Sequence, residues 1–274
     1  MTSPQTLTLN DGRLIPQLGL GVWQVPNAAA PALIAEAIAA GYRLIDTAAA
    51  YGNEEGVGRG IAEALAPRED MFVTTKLADG DHGFDQALKA FDESLRRLKL
   101  DFVDLYLIHW PRPRLDRFVE TWRAVIRLKE EGRAKSIGVS NFTPAHIRRL
   151  VAETGVAPAV NQIELHPRFQ QTEARRFHEE RGIATQSWSP LGRGRLDDDP
   201  TIAGIARRHH KSWAQTILRW HVENGLIVIP KSISPTRTRE NIDVFDFRLD
   251  PDDMATICKL DSQTGRFGPH PDQY

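Results

Sequence analysis

Eight short apolar runs, each followed by a stretch with helical spacing, constrain this chain more than any other feature. The runs are Leu18–Gly21, Leu44–Asp46, Phe72–Lys76, Val103–His109, Ser136–Ser140, Val160–Glu164, Ala184–Trp188 and Leu226–Pro230. Each is rich in Val, Ile, Leu or Thr and lacks the polar alternation of a strand with one wet face. Such a run belongs to a strand covered on both sides, which implies parallel pairing with helical crossovers. Eight of these units without an intervening linker point to a (β/α)8 TIM barrel spanning residues 1–274 as one domain. A doubly wound open sheet is the alternative reading.

The intervening segments carry their own start and stop signals. Leu33, Ile34, Ala37 and Ile38 fall on one face of a helix over 32–40, and Phe118, Trp122, Val125 and Leu128 do the same over 117–131, before Gly132. Thr143-Pro144 and Asp250-Pro251 each place an N-cap residue before a proline suited to the first helical position. Ser212 with Gln215 fits a capping box. Helical patterns are also expected over 201–210, 213–224, from Pro235, and over 254–260 as an extra C-terminal helix. At the other end, 7–9 and 13–16 flank Asn10-Asp11-Gly12, a hairpin signature preceding the barrel. Asp197-Asp198-Asp199 reads as a solvated loop.

Composition narrows the partners. Thirty-five basic against 36 acidic residues leave a net charge of −1, which supplies no field to attract nucleic acid or anionic lipid. No apolar stretch approaches the roughly 18 residues of a membrane span. The opening Met1-Thr-Ser-Pro-Gln-Thr lacks signal-peptide features. The one cysteine, Cys258, allows no internal disulfide and reads as a small buried hydrophobe on the last helix. A cytoplasmic, monomeric protein that binds a small molecule is expected, with no metal.

In a barrel the C-terminal ends of the strands surround one mouth, where chemistry is placed. Those ends carry Asp46, Lys76, His109, Ser140-Asn141, Gln162 with Glu164, Trp188, and Lys231-Ser232, with Tyr51 five residues beyond Asp46. Any one of these is readily structural, but together they form a set. A free tyrosine is a weak acid near pKa 10, and an ammonium beside it favours the phenolate and lowers that value. A carboxylate behind the lysine keeps it charged and directed. His109 is placed to orient or polarise a carbonyl oxygen. The set is a proton donor with neither nucleophile nor metal, which suits carbonyl reduction by hydride from elsewhere.

Traces of a hydride donor are present. Lys231, Ser232 and Arg237 precede or open the helix at Pro235 and form an anion site sized for a phosphate. Trp188 offers a face for a nicotinamide ring, and Ser140, Asn141 and Gln162 offer partners for its carboxamide. Trp23 and Trp110 either wall an apolar substrate slot or fill the rim. Competing motifs fail: no Gly-x-Gly-x-x-Gly follows a strand, no Walker A loop exists, and Gly138-Val-Ser140-Asn-Phe142 lacks the second glycine of a nucleophile elbow.

The segments Gly41-Tyr-Arg-Leu-Ile-Asp-Thr-Ala48, Tyr51-Gly-Asn-Glu-Glu55, Val103-Asp-Leu-Tyr-Leu-Ile-His-Trp-Pro111, Ile137-Gly-Val-Ser-Asn-Phe142, Val160-Asn-Gln-Ile-Glu164 and Ile229-Pro-Lys-Ser232 resemble, in order, those of the aldo-keto reductases. Within the family the chain is most similar to the bacterial 2,5-diketo-D-gluconate reductases, by its short loops after His109 and Trp188 and its ending Gly265-Arg-Phe-Gly-Pro-His-Pro-Asp272. The resemblance implies NADPH-dependent reduction of aldehydes and ketones such as small dicarbonyls or keto sugars, with Tyr51, Lys76, Asp46 and His109 as the catalytic tetrad. It also implies cofactor contacts from Ser140, Asn141, Gln162, Trp188, Leu191 and Gly192. By the same resemblance Lys231, Ser232 and Arg237 clamp the 2′-phosphate, Glu240 and Asn241 meet the adenine, and Trp23 and Trp110 face the substrate. Many relatives carry Tyr at the Trp188 position, and several place Trp where Leu77-Ala-Asp-Gly80 has a small residue. A cofactor-binding sensor with little turnover and a phosphate-binding isomerase are the competing functional readings.

Overall fold

The computed structural model describes residues 5–274. The opening residues Met1 to Pro4, part of the stretch read above for targeting signals, lie outside them. A hairpin comes first, β1 (Thr6–Thr8) and β2 (Leu14–Pro16), antiparallel with Leu7 opposite Ile15. Its turn closes with Gly12 at φ +83°, a conformation that costs glycine little.

Eight parallel strands follow: β3 (Leu20–Gly21), β4 (Leu44–Asp46), β5 (Phe72–Leu77), β6 (Val103–Ile108), β7 (Ala134–Ser140), β8 (Val160–Glu164), β9 (Ala184–Trp188) and β10 (Ile227–Val228). Each pairs with its sequence neighbour. The ends of the sheet meet through parallel bridges Leu18–Val228 and Gly21–Lys231, so the sheet closes on itself as a barrel. Helices α1 (Ala30–Ala39), α2 (Glu54–Glu63), α3 (Phe84–Leu98), α4 (Phe118–Glu130), α5 (Pro144–Thr154) and α6 (Thr172–Glu179) are the first six crossovers. Two helices, α7 (Pro200–Arg208) and α8 (Trp213–Glu223), separate β9 from β10, and α9 (Pro235–Ile242) and α10 (Pro251–Cys258) follow β10. Among the described residues no helix is long and apolar enough to cross a membrane.

Alternation along the strands divides the apolar residues between two cores. Leu44, Phe72, Leu105, Leu107, Val160, Ile227 and Ile229 point into the barrel, where Leu9 and Ile15 of the hairpin segment plug the lower end. Ile45, Val73, Tyr106, Ile108, Ile137 and Val139 point outward against Leu33, Ile34, Phe91, Trp122, Val125 and Leu150 of the helices. The interior tolerates no bulk at Gly138, where a Cβ would stand 2.5 Å from the Val160 carbonyl oxygen.

The expected caps are present. The side chains of Thr143, Ser212 and Asp250 each accept a backbone N–H three residues on, in capping boxes completed by His146, Gln215 and Asp253. Two local expectations fail. Asp199 is buried rather than solvated: it caps α7 through Thr201 N at 3.0 Å and pairs with Arg168 at 2.9 Å. Cys258 is exposed. The buried side of α10 is set by Asp253 and Ile257, and the next residue turns about 100° away from that face.

Candidate active site

The barrel's alternation fixes the site before any loop is considered. Asp46 shares a strand face with Leu44, Lys76 with Phe72, His109 with Leu105 and Leu107, and Gln162 with Val160. Each polar residue sits one or two steps of period two above an interior apolar residue, so all point inward at the upper rim. There Asp46, His109 and Gln162 line a cavity of about 360 Å³ with Tyr51, Ser140, Asn141, Trp188 and Lys231, while Lys76 lies behind its wall against Asp46 and Tyr51. Trp23 and Trp110 are part of the wall, as are Pro269 and Tyr274 from the C-terminal stretch.

Lys76 is wholly buried, and each proton of its ammonium has an acceptor: Asp46 Oδ1 at 2.6 Å, the Thr47 carbonyl at 2.9 Å and the Tyr51 phenol oxygen at 3.3 Å. The other carboxylate oxygen of Asp46 accepts from Gln162 Nε2 at 2.7 Å. A buried ion pair survives only with such complete satisfaction. Burial opposes the charge on Lys76, but Asp46 and Tyr51 outweigh it and hold the lysine above its usual pKa. Burial pushes the Asp46 carboxyl up against the opposing pull of Lys76 and Gln162; the 2.6 Å contact and the raised lysine favour the ammonium–carboxylate form of the pair.

The Tyr51 phenol departs from expectation. Burial raises its pKa; Lys76 pulls it down and Asp46 pushes it up again, and the net direction is upward. The lysine does act on the phenol as anticipated, but its partner carboxylate cancels part of its field and the site withholds water from the phenolate. Tyr51 is thus held protonated, with an ammonium in place to stabilise negative charge when it develops. The His109 ring lies 5.7 Å from the Tyr51 ring, nearly edge-on. Burial, with Lys76 adding repulsion, lowers its pKa to about 3. His109 is therefore a neutral imidazole at physiological pH, able to orient an oxygen but not to act as a resident cation.

The polar ledge opposite is knitted together. Ser140 Oγ donates to the Gln162 carbonyl at 2.9 Å, and Asn141 Nδ2 donates to the His109 carbonyl and Ser140 Oγ, both at 3.0 Å. Asn141 Oδ1 accepts from Trp188 Nε1 at 2.8 Å, which fixes the indole plane. Gln162 Nε2 also donates to Gln186 Oε1 at 2.8 Å, so both its amide protons are committed while its Oε1 takes no bond from a described residue. What the ledge offers a ligand is chiefly acceptors.

The structure does not bring every expected residue to the cavity. Leu191 and Gly192 lie just beyond Trp188 in the loop after β9, Gly192 with φ +59°. Ser232 is buried, its hydroxyl bonded to the backbone of Ser234, which caps α9. Arg237, Glu240 and Asn241 lie on α9; Arg237 is exposed and Asn241 buried. These six form no part of the cavity wall, and they follow Trp188 and Lys231, which do. Sequence reasoning missed Pro269 and Tyr274. The Tyr274 ring packs on Trp110 at 4.4 Å and lies under the Arg112 guanidinium at 4.9 Å. No local pattern announces that contact, because a chain end without secondary structure carries no periodicity.

Known proteins share this architecture. The sequence profile of the Aldo/keto reductase family matches residues 17–262. An aldo-keto reductase of Mycolicibacterium smegmatis is 54% identical over 266 residues, 97% of this chain and 96% of the relative. The methylglyoxal reductase DkgA of Escherichia coli is 49% identical over 276 residues, 100% of this chain and 99% of the relative. Among solved structures, an aldo/keto reductase from Brucella melitensis superposes with a TM-score of 0.92 at 58% identity, covering 94% of this chain and 100% of that one. A Gox0644 variant in complex with NADPH superposes with a TM-score of 0.97 at 48% identity, covering 100% of this chain and 99% of that one. With the profile spanning nearly the whole barrel and these relatives matching end to end, the chain belongs to the aldo/keto reductase family.

Proposed function

We propose that this protein reduces aldehydes and ketones with NADPH, and that its substrates are small dicarbonyls or keto sugars such as methylglyoxal or 2,5-diketogluconate. The observation that carries the reading is the phenol of Tyr51, 3.3 Å from a buried ammonium that is itself 2.6 Å from a carboxylate, at the wall of an apolar cavity. Similarity to relatives named methylglyoxal reductase supports the substrate class.

The residues present fit the cofactor. Trp188 offers an indole face in the cavity wall, its plane held by Asn141. The uncommitted Gln162 Oε1 and the remaining lone pairs of Ser140 and Asn141 match the amide protons of a carboxamide. Leu191 and Gly192 would flank the cofactor beyond the ring. Lys231, Ser232 and Arg237 would clamp its 2′-phosphate at the start of α9, and Glu240 and Asn241 would meet its adenine. Bound NADPH supplies a hydride to the carbonyl carbon.

The chain's own residues do the rest. Tyr51 donates its phenolic proton to the carbonyl oxygen. Lys76 stabilises the phenolate that remains, which neutral surroundings would disfavour. Asp46 keeps Lys76 charged and aimed, and neutral His109 fixes the oxygen beside Tyr51. Trp23 and Trp110 exclude water from the substrate's far side. We further propose a single-domain monomer in the cytoplasm.

Tyr51→Phe tests the reading. Following the reduced-nicotinamide absorbance with methylglyoxal, the variant should lose about 10²–10⁴-fold in kcat, the usual contribution of a positioned general acid. NADPH affinity, measured by fluorescence titration, should change little. Turnover near that of the unmodified protein would remove Tyr51 from the chemistry.

A further inference from the structure

The segment after α10 crosses the barrel mouth, and its attachment is built from buried groups. The Glu164 side chain, 1% exposed at the end of β8, accepts the backbone N–H of Phe267 at 2.6 Å with one carboxylate oxygen and that of Gly268 at 2.8 Å with the other. His166, fully buried two residues on, lies 3.2 Å from the same carboxylate and stacks on the Phe267 ring at 4.6 Å, 15° from parallel. The segment is also seated at Gly265, where a Cβ would stand 1.8 Å from the Arg168 carbonyl oxygen. Burial disfavours the ionised form of Glu164, yet His166 and the two N–H groups overcome it and hold its pKa below the usual carboxylate range. A charged group with two backbone donors is a strong, directional anchor.

This anchor lies next to the working parts of the site. At Gly268 a Cβ would come within 2.7 Å of Trp188 Cη2 and 3.0 Å of Glu164 Oε2, so the backbone there packs directly on the indole edge. Pro269 and Tyr274, immediately downstream, line the cavity. Strand β8 therefore contributes two inward polar side chains with separate duties. Gln162 faces Asp46, and Glu164, one period higher, holds the C-terminal segment.

We propose that Glu164, supported by His166, is a positioning residue that sets the substrate wall formed by Pro269 and Tyr274. It never touches substrate; it acts through the Phe267 and Gly268 amides. The inference rests on the carbonyl-reductase reading above, and it names a determinant of which carbonyl compounds fit. A bulky aldehyde that reaches Pro269 and Tyr274 depends on the anchor, and a small one near Tyr51 depends on it little.

The experiment uses the full-length protein with two variants. Glu164→Gln keeps the shape but sets an amide N–H against a backbone N–H; Gly268→Ala forces a methyl between the segment and the Trp188–Glu164 surface and so lifts it off the same seat. Amide hydrogen exchange at Phe267 and Gly268 should accelerate in Glu164→Gln by at least about tenfold, as a charge-assisted bond is lost. Initial rates with phenylglyoxal and methylglyoxal as probes should show KM for phenylglyoxal rising about tenfold in either variant and about tenfold, not a hundredfold, in the double variant, because both act through one segment. KM for methylglyoxal and kcat for both should stay within about threefold. Unchanged exchange at the two amides, equal KM changes for the two aldehydes, or multiplicative effects in the double variant would each overturn the proposal. If Glu164→Gln does not fold, Gly268→Ala decides alone: a selective rise for phenylglyoxal supports the wall, and an unchanged KM sinks it. If the unmodified protein reduces neither aldehyde, the functional reading fails, while the exchange measurement still judges the anchor.

Discussion

Lys76 shows how one residue serves both stability and chemistry. Its three acceptors leave no proton of the ammonium unpaired, which is what permits a lysine with no solvent exposure in the barrel. The same completeness explains why the phenol stays protonated: the ammonium divides its field between Asp46 and Tyr51, and burial decides the remainder. Lys76→Met separates the two duties. It strands the Asp46 carboxylate and should cost about 3–5 kcal/mol of stability, and it should lower kcat by at least about 10²-fold by removing the group that stabilises the phenolate. Adding Asp46→Asn discharges the stranded carboxylate yet still accepts from Gln162, so thermal unfolding should recover while turnover does not. A double variant less stable than Lys76→Met alone would contradict this account of the pair.

Helix α2 puts the same logic at the scale of an element. Gly56, Gly58 and Gly60 sit within it, although each glycine costs a helix about 1 kcal/mol relative to alanine. The reason is close approach: a Cβ at Gly58 would stand 2.2 Å from the Leu98 carbonyl oxygen at the end of α3, and one at Gly60 would stand 2.7 Å from Ile34 Cβ on α1. Gly58→Ala should therefore destabilise by about 1–3 kcal/mol despite its better helix propensity, because backbone must move to admit it. Chemical denaturation checks the sign, and a stabilised variant would show that α2 and α3 can separate without loss. Elements of this kind were largely legible in the sequence. The eight strands fall where their apolar runs lie, and Thr143, Ser212 and Asp250 cap as their local pattern demands, because those signals are short-range. Asp199-Pro200 carries the same cap signal as Asp250-Pro251, but the neighbouring acidic residues concealed it. The gathering of Asp46, Lys76 and His109 at one rim was legible because period two fixes which strand residues face inward. The sign of the Tyr51 shift was not, since it depends on how much water the fold excludes. The clasp of Glu164 on Phe267 and Gly268 was not either, for it joins residues about a hundred apart through backbone groups that every sequence shares.

Over the whole molecule the histidines set the response to acid. His82, His178 and His221 are buried away from water, and burial lowers each pKa from 6.5 to about 4; burial and Lys76 lower that of His109 to about 3. In the unfolded chain each returns to its ordinary value and binds a proton that the folded protein refuses. Between roughly pH 6.5 and pH 4 the unfolded state thus holds more protons than the folded one, and stability must rise with pH across that window. Each imidazole accounts for about 3 kcal/mol that is present at neutral pH and gone once the pH is below both of its values. Four such groups together fall within the 5–15 kcal/mol that holds a typical domain folded, so acid should destabilise the barrel steeply as the unfolded chain takes up these protons. The paired carboxylates Glu164, Asp199 and Asp253 are held below their usual pKa despite burial, and they add a further loss only at lower pH. Thermal unfolding from pH 8 downwards should show a Tm that is level near neutrality and falls steeply from about pH 6. Replacing His178, which bridges Asn161 and Thr185 at 2.9 Å on each side, by Gln should flatten that slope even if it lowers Tm at pH 8, because the variant has one fewer site for the unfolded chain to protonate. A Tm independent of pH from 7 to 4.5, in the unmodified protein, would mean that these rings are already charged in the fold.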